Sequence, residues 1–470
     1  MPSSERSSVP SRTSVSRSPP PGFAYSRGQF KDLVDTALAT ARSLGASDAV
    51  AEVSEGVGLS VSVRKGETEN VERNRDKSIS VTVYVGQRRG NASSSDFSSA
   101  AIEQTVRAAH DIARFTAEDP AAGLPEAEDL VRGADAERDL DLFHPWDIDA
   151  ERAIELAGRC EAAALAVDRR ITNSEGAGVS AQQSHFYAGN TRGFGAGYAS
   201  SRHSLSVAPI ASLPGRGGDD MQRDAWYSSM RSADELSPPE AIGRYAAERA
   251  LSRLGSRKIR TCEVPVLYES SLASGLLGAF VHATSGGALY RKSSFLLDSL
   301  GQRVLPEHID VHEDPHQPRG KGSAPFDDEG VATRRAQIVD AGVVRSYFLS
   351  TYSARKLGMR STGNAGGSHN LILDSTGEDF DDLLRRLGRG LLVTELLGMG
   401  VNQVTGDYSR GAAGFWVENG AIAYPVHEIT IAGNLKTMFK GIAAIGNDVV
   451  LRSPRRCGSI LIDRMTVAGE

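Results

Sequence analysis

Cysteine is scarce: Cys160, Cys262 and Cys457 are the only three in 470 residues. Scattered singly and odd in number, they exclude a disulfide scaffold and a paired-cysteine zinc ribbon, and fit a reducing cytoplasm. Long apolar runs are also missing. Stretches such as residues 274–281 and 390–398 fall far short of the roughly 20 residues that cross a bilayer, so no membrane association is expected. Nor is there an excess of positive charge. A net charge of -6 and a pI near 6.0 leave no global field for a polyanion, and no nucleic-acid partner is expected.

Residues 1–27 lack apolar surface, being rich in Ser, Pro and Arg with Glu5 as the single acid. They are expected to form a disordered tail, and contain no apolar core of a secretory signal. Beyond them, 40% hydrophobic and 24% charged residues suffice for two or three globular domains.

Helical spacing of Phe30, Leu33, Val34, Ala37, Leu38, Ala41 and Leu44 ends at Gly45. Period two follows, with Val57, Leu59, Val61 and Val63, then Ile79, Val81, Val83 and Val85, which predicts half-buried antiparallel strands. Further helices are expected over 99–117, 149–167, 237–254 (with Ser237 as N-cap), 271–283 and 379–397. Short glycine-broken strands are expected over 171–198, an extended continuation over 204–209 and a loop over 212–237. Asn419-Gly420 and Ala341-Gly342 supply the left-handed residues of two-residue hairpin turns. No succession of βαβ units occurs, so the fold class is α+β. A helix and antiparallel-sheet region over 28–257 precedes a mostly antiparallel β domain over 258–470, with the boundary near Lys258.

Several chemical signatures are absent or incomplete. Gly363-Asn364-Ala365-Gly366-Gly367 and Gly193-Phe194-Gly195-Ala196-Gly197 lack the Lys-Ser/Thr ending of a P-loop, and no G-x-S-x-G elbow occurs. Cys262 reads as structural. His312-Glu313-Asp314-Pro315-His316 matches H-E-x-x-H literally, but that zinc motif works only on a helix, which Pro315 opposes. A polar edge strand and turn is the expectation there. A stand-alone metallopeptidase built on His308, His312 and His316, or a metal on the alternating His308, Asp310 and His312, is the rival reading.

An ordered series of phrases spans residues 264–448. It begins with Val264-Pro265-Val266, Ser285-Gly286-Gly287 and Arg291-Lys292-Ser293-Ser294-Phe295-Leu296. It continues with Pro325-Phe326-Asp327-Asp328-Glu329-Gly330, Ser361-Thr362-Gly363-Asn364 and Thr405-Gly406-Asp407-Tyr408-Ser409, and closes with Glu428-Ile429-Thr430-Ile431-Ala432-Gly433-Asn434-Leu435. The series resembles the PmbA/TldE branch of the TldD/PmbA metalloprotease family.

The resemblance implies a heterodimer around an internal cavity, with peptide substrates and a TldD-like partner whose H-E-x-x-x-H and a later cysteine bind zinc. At the corresponding helix this chain reads His282-Ala283-Thr284-Ser285-Gly286-Gly287. The first histidine is kept as His282, the base is Ala283 and the second histidine is Gly287, while Cys457 stands where the ligand cysteine would be. No metal ligand set, no catalytic residue and no cofactor are therefore expected in this chain, with zinc in the partner. Leu272, Leu276, Phe280 and Val281 form the apolar stripe of that helix, and His282 is read as a hydrogen-bonded boundary residue. His282, Ser285, Gly286, Gly287 and Arg291 are the candidates for the substrate cavity. A noncatalytic scaffold that meets no protease is the remaining alternative.

Overall fold

The computed structural model describes residues 18–214 and 220–469. Most of the expected tail, residues 1–17, lies outside them. Residues 18–26, by contrast, are ordered against the domain. The buried carboxylate of Glu55 accepts from the amides of Ala24 and Tyr25, and the Phe23 ring, tilted by 42°, packs with its centroid 4.3 Å from that of His185. Phe23 and Tyr25 thus bring the apolar surface that the Ser/Pro/Arg composition hides.

Ser26 opens α1 (Arg27–Ser43) through a capping box with Gln29. β1 (Asp48–Arg64), β2 (Glu67–Val85) and β3 (Arg88–Ser94) form an antiparallel meander. Its first turn uses Lys65 and Gly66 at φ 52 and 77°, and Glu161 accepts from both of their amides. α2 (Ser99–Phe115), α3 (Ala150–Leu165), β4 (Ile171–Asn190), β5 (Gly195–Ala196), β6 (Ala199–Leu213), β7 (Asp220–Arg223), β8 (Trp226–Met230) and α4 (Pro239–Ser252) follow.

The sheet order is β3-β2-β1-β4-β6-β7, with β5 beside β4 and β8 beside β6. Alternate residues of β1 share one face. Ala49, Ala51 and Val53 pack with α1 and α2, whereas Leu59, Val61 and Val63 pack with α3 and α4. Two helix pairs therefore sit side by side on one long sheet.

Three local expectations are corrected here. β4 runs unbroken for 20 residues: Gly176, at φ 109°, sits in a register shift against β6, while Gly178 and Gly189 pair regularly with β1. The expected loop over 212–237 contains β7 and β8, with Trp226 packed edge-on against Tyr245 of α4. α4 begins after Pro238, and Ser237 caps nothing: its amide donates to the Ser228 hydroxyl.

The C-terminal region runs through β9 (Cys262–Tyr268), α5 (Ser270–Ala283), α6 (Gly286–Tyr290), β10 (Val311–Glu313), β11 (Ala336–Asp340), β12 (Val343–Val344) and α7 (Thr351–Leu357). β13 (Leu371–Leu373), α8 (Phe380–Leu387), β14 (Gly390–Leu397), β15 (Asp407–Glu418) and β16 (Ala421–Asn434) come next. α9 (Leu435–Lys440), β17 (Ile442–Ile445), β18 (Arg455–Arg456) and β19 (Ile460–Ala468) complete it. One sheet has the order β12-β11-β10-β13-β18. In the other, β16-β15-β14-β9-β19-β17, β16 also pairs with β19 and closes a five-stranded barrel.

Pairing is mostly antiparallel, as an α+β fold requires, with β14–β9 and β13–β18 parallel. Both hairpin turns form as their residues dictate: Ala341 and Gly342 at φ 46 and 76°, Asn419 and Gly420 at 51 and 75°.

The helix expected over 379–397 stops at Leu387, and residues 390–397 are β14. Leu391 and Val393 face the main core with α5, while Leu392 faces α8 on the other side. A strand buried on both faces shows no alternation, so its apolar run mimics a helix. Among the described residues no helix is long and apolar enough to cross a membrane.

Candidate functional site

α5 turns Ala273, Leu276, Leu277, Phe280, Val281 and Ala283 into the core between barrel and sheet. Leu272 is only half-buried, at the margin. The opposite stripe, Ser271, Ser274, Gly275, Gly278, Ala279 and His282, lines a cavity of about 700 Å³. Gln403, Tyr408 and Arg410 before and on β15, with Arg455 on β18, form the facing wall.

The window that resembles a zinc motif straddles two helices. α5 ends at Ala283, Thr284 and Ser285 leave helical geometry at ψ 6 and 140°, and α6 starts at Gly286. Ser285 makes the join: its hydroxyl donates to the His282 carbonyl at 2.8 Å and accepts from the Ala288 amide. His282 and Gly287 therefore do not share one helical face. Ala283, at the position of the base, is 0% exposed and belongs to the core.

His282 is exposed and, among the described residues, its imidazole makes no hydrogen bond; the expected bonded boundary role is thus corrected. Of the five cavity candidates, His282 and Ser285 line it. The other three lie on α6 and its end, away from the lining. Gly286 packs so closely on α7 that a Cβ would meet the Ser353 hydroxyl at 2.1 Å. Arg291 is exposed, stacked over the Tyr290 ring and 3.1 Å from where a Gly287 Cβ would stand.

Cys457 is buried in the core, and desolvation with nearby Asp448 pushes its thiol up to about 12. Cys160 is buried and Cys262 half-buried, both free thiols. The donor set at the helix does not fit a zinc ion: one histidine, a buried alanine and a glycine supply neither three ligands nor a base. Among the described residues, no three His, Cys, Asp or Glu side chains are grouped to hold a metal.

His312-Glu313-Asp314-Pro315-His316 is a strand and turn, as Pro315 dictates, but β10 is central between β11 and β13 rather than an edge. Its two histidines diverge. His312 faces Asp374 at 3.5 Å, and His316 bonds to the Thr333 hydroxyl at 3.0 Å. His308 is exposed, and Asp310 accepts from the Ala341 amide. The rival metal constellations do not form.

Glu313 is 3% exposed and accepts from the His369 amide at 2.6 Å and from the Asn364 side chain at 3.1 Å. It ties β10 to the 361–370 loop. Glu313→Ala is expected to lower the unfolding free energy by about 3 kcal/mol, read by urea denaturation, because buried donors lose their acceptor. An unchanged midpoint would contradict that structural role.

Sequence reasoning missed Gln403, Tyr408, Arg410 and Arg455. Tyr408 and Arg410 are two apart on a strand and share a face, which was a usable signal. Arg455 lies too far along the chain for any local pattern to place it on α5.

Residues 261–469 match the PmbA/TldA metallopeptidase C-terminal domain, 143–254 the central domain and 49–113 domain 1. The metalloprotease PmbA of Escherichia coli O157:H7 is 49% identical over 443 residues, covering 94% of this chain and 96% of its own. The PmbA homolog of Haemophilus influenzae is 46% identical over the same shares. A solved protein of Bacteroides thetaiotaomicron superposes with TM-score 0.88 at 29% identity, covering 94% of this chain and 99% of its own. TldE from Thermococcus kodakarensis, at 17% identity and TM-score 0.80 over 93% of this chain and 99% of its own, shares the fold.

Proposed function

The chain belongs to the PmbA/TldD metallopeptidase family, and from that premise we propose that it is the zinc-free subunit of a heterodimeric peptidase. It shapes the chamber in which unfolded or short peptides are cut, while a TldD-like partner supplies zinc and the general base. The reading is carried by one observation: the window over 282–287 breaks the helix, buries the base position and keeps a single possible ligand.

Two surface features support an assembly. Met399 is 96% exposed in the connection between β14 and β15, where Leu397 and Val404 are also exposed and Leu396, Val401 and Gln403 of the same segment line the cavity. An apolar rim of this kind marks a surface that another chain covers. In addition, residues 67–77 of β2 pair with β1 on one side, while β3 joins the other side only from Ile79. Such an open edge holds extended chains by backbone hydrogen bonds, with little demand on side chains.

In this reading the chain has three tasks: closing the chamber wall, keeping folded proteins out, and presenting the α5 cavity to the substrate. The test is coexpression with a TldD-like chain. A stable complex that cleaves unfolded peptides is expected; two chains that elute separately, or a complex that cleaves nothing, would leave a scaffold role instead.

A further inference from the structure

We infer that the α5 cavity is a carboxylate subsite, in which Arg410 and Arg455 hold the carboxylate of a short peptide. The inference rests on the peptide-handling role proposed above and names the chemistry of its ligand.

Other arginines withdrawn from solvent have partners of one kind or another: Arg249 pairs with Glu269 and Asp224, Arg253 with Glu395, Arg192 with Asp48, Arg231 donates to the carbonyls of Ser201, Gly320 and Lys321, and Arg452 packs over the Trp226 and Tyr227 rings. Arg410 and Arg455 differ. Neither forms a salt bridge among the described residues, and each has a buried Nε without a hydrogen-bond partner. No aspartate or glutamate lines the cavity. For Arg455, burial lowers the guanidinium below its usual range, with no opposing carboxylate. A partly desolvated cation without a counter-ion is destabilised, and an anionic ligand relieves that penalty.

The helix is shaped around this arrangement. A Cβ at Gly278 would stand 3.0 Å from Arg455 Nη1 and 3.3 Å from its Cζ, so the guanidinium lies against bare helix backbone. Gly275, one turn earlier on the same stripe, likewise presents no side chain to the cavity. On the same wall, Gln403 has a buried Oε1 without a donor. Two cationic donors and one acceptor match the end of a peptide, whose carboxylate accepts hydrogen bonds and whose last amide donates one. About 700 Å³ is far more than a lone inorganic anion fills and lies within the range of pockets that hold organic ligands.

The experiment uses the full chain alone and a fluorescent pentapeptide of apolar residues, labelled at its N-terminus, as the free acid and as the C-terminal amide. By fluorescence anisotropy, the free acid is expected to bind at least about tenfold more tightly than the amide. Arg410→Gln and Arg455→Gln are each expected to shrink that ratio towards one. An amide peptide carrying one aspartate distinguishes the source: recovered binding means that side-chain carboxylates are also taken, and no recovery means the terminus alone. Equal affinity of acid and amide, or no saturable binding of the acid, overturns the inference, and neither result needs a variant that folds. A preference for the acid that survives in the folded double variant overturns it as well. Because no partner is present, a failure of the chamber role would appear as an inactive complex with this binding preference intact.

Discussion

In a complex of this chain with a TldD-like partner, replacing the glutamate of the partner's H-E-x-x-x-H motif by alanine is expected to reduce peptide hydrolysis by about 10²–10⁴-fold. Zinc-bound water needs a base in reach, and only the partner is proposed to have one. Glu313→Gln in this chain is expected to leave kcat within about twofold, although Glu313 belongs to a literal H-E-x-x-H. Its carboxylate is committed to the Asn364 side chain and the His369 amide inside the fold. The contrast separates a catalytic glutamate from one that ties two loops together. Comparable losses from both changes, measured on matched amounts of folded complex, would contradict the assignment.

Restoring the missing residue types in this chain is expected to fail. In an Ala283→Glu/Gly287→His variant, the carboxylate replaces a side chain that is 0% exposed in the main core. An unpaired buried charge destabilises by roughly 3–5 kcal/mol, so the variant should unfold at much lower urea. Histidine at 287 is sterically easier, because a Cβ there meets only the movable guanidinium of Arg291 at 3.1 Å. Even so, Thr284 and Ser285 interrupt the helix between the two histidine positions. The expected result is a destabilised protein with no added zinc. Tight stoichiometric zinc in the double variant would mean that residue identity alone, and not the broken helix, had emptied the site.

Elements whose signal is local were readable from the residues. The amphipathic stripe of α5 and the Asn419-Gly420 turn each depend on neighbours within a few positions. Misreadings arose where a distant partner decides. The residues of β14 read as helix because burial between α8 and the main core removes their alternation. Residues 18–26 looked like tail because Glu55, 30 positions beyond Tyr25, is what orders them. β10 looked like an edge because its charged residues are satisfied by the 361–374 segment across the sheet.

The site divides in the same way. The identities over 282–287 were legible through the family resemblance, and the helix break is written in the Ser285-Gly286-Gly287 triplet, a capping serine before two glycines. The burial of Ala283 was not legible, since it depends on which face of α5 meets the barrel. The arginine wall was invisible for the same reason: β15, β18 and α5 are brought together by sheet order and not by sequence proximity.

The most direct measurement is metal analysis of the chain purified without a partner after incubation with zinc and extensive dialysis, alongside peptide hydrolysis by the same sample. Well under one zinc per chain and no hydrolysis above buffer is the predicted outcome. One tightly held zinc per chain that is lost in His282→Ala, together with cleavage by the solitary chain, would contradict it.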